Sequence, residues 1–129
     1  MKKKILLIDD DEDLLRSFQV NLEIFGYVVS TASNSQDGLK ILIRDKPDLI
    51  VLDVMMNTEL EGFNLLHQLK DDPENDKLPI LMLTGISSKL RAHLFSADEI
   101  TKNLPNVRIQ AKPVTPLFLV EIIEEMLNE

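Results

Sequence analysis

Five short segments of strand length, Ile5–Ile8, Tyr27–Ala32, Asp48–Leu52, Ile80–Leu83 and Val107–Ala111, alternate with stretches of helical periodicity. Few folds accept that rhythm. A run such as Leu49-Ile50-Val51-Leu52 offers no polar position to solvent, so it suits a strand covered by helices on both faces. Alternation of such strands with helices implies βαβ units and a parallel sheet. Between the first two runs, Leu15, Phe18, Leu22 and Phe25 recur at helical spacing, and Gly26 supplies a stop. Ser35 is expected to cap a second helix carrying Leu39, Leu42 and Ile43, which Pro47 closes. A third helix follows Glu61, with Phe63, Leu66 and Leu69 on one face, and ends at Asp72-Pro73. A weaker helical pattern with Leu90, Leu94 and Ala97 precedes the last strand. Thr115-Pro116 then caps a final helix with Leu117, Val120 and Leu127.

Five strands and five helices in this order predict an α/β, flavodoxin-like doubly wound parallel sheet of order 2-1-3-4-5, with the third strand central and helices on both faces. At 129 residues the chain is expected to form one domain, 1–129. It has no cysteine, so neither disulfides nor thiolate chemistry is available. The apolar runs are too short to span a bilayer and no signal peptide is visible, so a cytoplasmic location without membrane attachment is expected. With 14 Lys plus Arg against 22 Asp plus Glu, the net charge of −8 disfavours direct nucleic-acid binding.

In a doubly wound sheet the ligand site lies beyond the carboxyl ends of the strands, where the winding reverses. Asp9 and Asp10 follow the first strand and Asp53 the third, so three carboxylates should share one crevice. Such a cluster calls for a cation. Magnesium is the natural one, because it takes one or two carboxylates, keeps water and bridges to phosphate oxygens. Thr84 after the fourth strand and Lys112 after the fifth point to the same edge, where a hydroxyl and an ammonium could hold a phosphoryl group. Each residue also has a plainer use. Acids from Asp9 to Asp13 suit a helix start, Asp53 a turn, Thr84 a strand end and Lys112-Pro113 a turn.

Taken together, Asp9-Asp10, Asp53, Thr84 and Lys112-Pro113 resemble the response-regulator receiver domains of two-component signalling, and the likeness runs through essentially the whole chain. The resemblance implies that Asp53 is the phosphoacceptor. It implies that Asp10, Asp53 and the backbone carbonyl of Met55 bind Mg²⁺, that Asp9 acts through metal-bound water, and that Thr84 and Lys112 contact the phosphoryl oxygens. It also implies a cis Lys112-Pro113 peptide bond. The phosphoryl donor would be a histidine kinase or phosphotransfer protein. Output would pass to an unknown downstream protein through the face formed by the fourth strand, the helix after it and the fifth strand, from a monomer or a phosphorylation-dependent dimer. A receiver of this kind assists its own phosphorylation and dephosphorylation but is not an enzyme acting on other substrates. With no second domain after the final helix, a stand-alone regulator or relay intermediate is expected.

Departures from the family pattern matter. Ile109 stands where an aromatic residue is usual, the loop after Asp53 lacks the common proline, and the segment from Thr84 to Lys112 is longer, with a turn expected at Asn103-Leu104-Pro105-Asn106. Met55 and Ile86, flanking the expected water route, cannot orient water, which implies a persistent phosphoryl state. His67 and His93 are assigned surface or packing roles. An aspartyl-phosphate phosphatase would need an acid where Met55 stands, and a flavin protein would need a glycine- and hydroxyl-rich loop where Asp9-Asp10 stand. The remaining alternative is a pseudo-receiver that binds partners without phosphorylation.

Overall fold

A computed structural model describes residues 2–53, 61–85 and 106–128, with the backbone alone at Phe63. Its elements are β1 Lys4–Ile8, α1 Glu12–Ile24, β2 Val28–Ala32, α2 Ser35–Asp45, β3 Leu49–Asp53, α3 Glu61–Lys70, β4 Ile80–Thr84, β5 Val107–Ala111 and α4 Pro116–Leu127. The sheet is parallel throughout, in the order β2-β1-β3-β4-β5, with β3 at its centre as expected. The expected helix containing Leu90, Leu94 and Ala97 lies outside the described residues.

Strand alternation divides the core into two layers. Leu6, Ile8, Ile50, Leu52, Ile80 and Met82 pack with Leu42 of α2 and with Leu65, Leu66 and Leu69 of α3. Their neighbours Ile5, Leu7, Leu49, Val51, Leu81 and Leu83 pack with Leu15, Phe18 and Leu22 of α1 and with Leu119, Val120, Ile122 and Ile123 of α4. Every residue of β3 and β4 is buried, which explains the unbroken apolar runs Leu49–Leu52 and Ile80–Leu83.

Four sequence assignments are corrected at helix faces and ends. Phe25 is the C-cap of α1 and is 50% exposed, so the buried stripe stops at Leu22. Ile43 and Leu117, at 75% and 60% exposure, face away from the core. The three- and four-residue spacing alone did not resolve which of two adjacent apolar positions turns inward. Likewise α3 ends at Lys70, and Asp72 organises the turn beyond it by accepting the Glu74 N–H at 2.9 Å.

The N-cap of α2 is Asn34, not Ser35. Asn34 has extended backbone angles and its side-chain oxygen accepts the Asp37 N–H at 2.8 Å, while Ser35 Oγ is buried without a hydrogen-bond partner among the described residues. At the other end of the chain, Thr115 caps α4 with Pro116 in the first turn, as the sequence indicated. Replacing Asn34 by Ala should therefore destabilise the domain by about 1 kcal/mol. Ser35→Ala should leave denaturant stability unchanged or raise it, since it removes a polar atom that has no partner. Equal losses from the two substitutions would restore Ser35 as the cap.

Candidate functional site

Because all strands are parallel, their carboxyl ends meet at one edge of the sheet. β1 and β3 are adjacent, with Ile8 opposite Leu52, so Asp9 and Asp53 follow from neighbouring positions in the ladder. Alternation sends Asp9 and Asp53 to the face that already holds Leu7 and Val51. Lys112, one residue beyond β5, reaches across from the far side. Its Nζ lies 3.0 Å from Asp9 Oδ2 and 3.5 Å from Asp53 Oδ2. Both acids are 5% exposed.

Asp10 completes the group from the solvent side. One carboxylate oxygen from each of Asp9, Asp10 and Asp53 lies within 4.8 Å of the others, a set of hard oxygen donors able to hold a divalent cation. Partial desolvation, followed by the charge of Asp9 and a hydrogen bond with it, raises the pKa of Asp10 above the ordinary carboxylate value. Burial alone would lower the pKa of Lys112, but its hydrogen bond to Asp9 and the charges of Asp53 and Asp9 reverse that and leave it raised. Lys112 is thus held firmly as a cation, and among the described residues this one ammonium faces three carboxylates.

Asp9 is fixed at both oxygens, since Oδ1 accepts the Asp11 N–H at 2.9 Å and Oδ2 meets Lys112. Helix capping falls instead to Asp11, which accepts the Leu14 N–H at 3.1 Å. The acidic run therefore divides its work: the plainer reading as a helix start holds for Asp11, with Glu12 and Asp13 in the first turn, and does not describe Asp9 or Asp10. Thr84, 1% exposed, ends β4, and its carbonyl accepts the Lys112 N–H at 2.8 Å. That bond ties the threonine's strand to the lysine's turn. The Lys112-Pro113 peptide bond is cis.

Met55, Ile86 and His93 lie outside the described residues, as does all of the expected Asn103–Asn106 turn except Asn106. Asn106 has a left-handed φ of 71°, and its carbonyl accepts the Ile80 N–H at 2.9 Å. Ile109 is half-buried and packs with Leu78 against the α2 and α3 layer. His67 is exposed near the end of α3, consistent with a surface role.

One contact near the site was not foreseen. Glu61, the first residue of α3, accepts the Ser35 N–H at 2.9 Å and so supplies an anion to the start of α2. Its signal in the sequence is only an acid at a helix start, which points as readily to its own helix. No helix among the described residues is long and apolar enough to cross a membrane.

Residues 5–111 match the family described as "Response regulator receiver domain". The alkaline phosphatase synthesis transcriptional regulatory protein PhoP of Bacillus subtilis is 48% identical over 136 residues, covering 100% of this chain and 55% of the relative. Response regulator PleD of Caulobacter vibrioides is 37% identical over 130 residues, covering 98% of this chain and 28% of the relative. This chain therefore spans about half or less of the length of these curated relatives. A receiver domain protein described as CheY-like, from Methanospirillum hungatei, superposes with a TM-score of 0.82 at 28% identity, over 99% of this chain and 95% of its own.

The raised pKa of Asp10 has a measurable consequence. The native protein binds more protons there than the unfolded chain does, so stability falls as pH rises from the unfolded value, near 3.8, through the folded one. At pH 7 the penalty is fully present. Without divalent metal, Asp10→Asn should melt above the parent at pH 7, and the difference should close once the pH falls below the unfolded value. In millimolar Mg²⁺ the order should reverse, because only the parent gains full binding energy. A variant that melts below the parent in EDTA at pH 7 would contradict the assignment of charge strain to Asp10.

Proposed function

The chain belongs to the response regulator receiver family of two-component signalling, and on that premise we propose that Asp53 accepts a phosphoryl group in a magnesium-dependent reaction. The observation that carries the reading is Lys112 Nζ between the buried carboxylates of Asp9 and Asp53, with Asp10 at the open side. A cation contact at Asp53 marks where negative charge would gather on a transferred group.

Asp10 and Asp53 are the side chains we assign to Mg²⁺, together with the Met55 backbone carbonyl, which lies outside the described residues. Asp9 has both oxygens engaged, so it suits a role through metal-bound water. When bound, the ion supplies charge neutralisation among the carboxylates and the incoming phosphoryl oxygens. An Asp53 oxygen attacks phosphorus, an O–P bond forms, and the P–N bond to a donor histidine breaks with its electron pair leaving on the imidazole nitrogen. Lys112 stabilises the negative oxygens, and the Thr84 hydroxyl donates to one of them. Most of the acceleration is positioning and charge balance.

The donor is a histidine kinase or phosphotransfer protein in the cytoplasm, and residues 1–129 form one receiver unit. A phosphoryl group adds nearly two negative charges beside Thr84 and Lys112, whose strands are tied by the Lys112 N–H bond to Thr84. That bond supports output through the β4 and β5 face toward a downstream protein, as a shift between two preexisting states.

Incubation with acetyl phosphate and Mg²⁺, followed by intact mass and peptide mapping, tests the proposal. One phosphoryl adduct is expected, lost on treatment with EDTA beforehand and absent in Asp53→Asn. No adduct in the parent would favour a module that binds its partner unphosphorylated.

A further inference from the structure

Gly38 lies in α2, where glycine is a poor helix former and no left-handed backbone angle calls for it. Its use is steric. A Cβ built there would stand 2.6 Å from Ile8 Cδ1, 3.2 Å from Ile8 Cγ1 and 3.7 Å from Ile8 Cγ2. All three contacts fall on one residue, the last of β1, immediately before Asp9 and Asp10.

Ile8 has little freedom to yield. It is 1% exposed, packed among Leu6, Ala32, Leu42 and Leu52, and its backbone is paired on both sides, to Ala32 and to Leu52. Turning the Cδ1 methyl away would leave the tight Cγ1 contact in place. Turning the whole β-branched side chain would drive Cγ2 into the same core. The remaining relief is a displacement of α2 from β1, or of the strand end itself.

We propose that Gly38 is a positioning residue of the acidic site, acting through Ile8 to set where Asp9 and Asp10 stand relative to Asp53. The proposal rests on the receiver reading only in naming Mg²⁺ as the ligand used to measure that placement. It requires no phosphorylation.

The test compares Gly38→Ala, Ile8→Val and the double variant in the full chain, with Mg²⁺ affinity taken at 15 °C from NMR titration and adduct formation from acetyl phosphate measured alongside. Gly38→Ala should weaken Mg²⁺ binding by about threefold or more, about 0.65 kcal/mol. The amide shifts of Asp9 and Asp10 should move. Ile8→Val removes the Cδ1 atom at 2.6 Å, the closest contact, and keeps Cγ1 at 3.2 Å, so the double variant should recover most of the loss and lie closer to Ile8→Val alone than to Gly38→Ala. A merely structural glycine predicts a changed melting temperature with Mg²⁺ affinity unaltered, and that result would overturn the proposal. So would a double variant as weak as Gly38→Ala, or a Gly38→Ala protein unfolded at 15 °C, since one methyl against one side-chain tip should shift the site rather than abolish the fold. If Mg²⁺ affinities follow the expected pattern while no variant, nor the parent, forms an adduct, the positioning role stands and the phosphoacceptor reading falls.

Discussion

Parallel pairing is the constraint on which the molecule depends. Strands that all run the same way must all end at one edge, so whatever residue follows each strand is delivered to a common place. Here that place receives Asp9, Asp53 and Lys112, and the two buried acids are held against the Lys112 ammonium. Desolvating carboxylates without partners would be costly, and Lys112 offsets much of that cost. It does not remove it. Among the described residues three carboxylates meet one ammonium at this edge, so the charge strain on the acids and the fitness of their oxygens for a divalent ion have one origin.

Much of this architecture was legible because burial on both faces leaves strands no polar residues. Leu49-Ile50-Val51-Leu52 and Ile80-Leu81-Met82-Leu83 have no other sensible use, and the acids and threonine that end such runs were conspicuous for that reason. The site could be assembled from the strand order alone. Helix detail was less legible, since the sequence around α2 presents Asn34 and Ser35 side by side, both able to cap. The extended backbone of Asn34 and the Asp37 N–H bond that its side chain accepts decide between them. Phe25, Ile43 and Leu117 misled because an apolar residue at helical spacing can lie on the stripe's border.

Other features depend on contacts between distant segments and have no local signature. Glu61 serves a helix other than its own, and Gly38 reads as a weak point in α2 until Ile8 is seen beneath it. The division of the Asp9-Asp10-Asp11 run into a clamped acid, an open acid and a cap is of the same kind. Three identical side chains in sequence acquire three tasks from which neighbours they meet.

Lys112 and Asp9 are separated by 103 positions along the chain. A loop of that length closes late, because many intervening segments must already be docked before the two ends gain anything by meeting. A chain still emerging from the ribosome therefore lacks the completed pocket until its fifth strand has joined the sheet. The two buried acids would thus wait for their counter-charge until the last strand is in place.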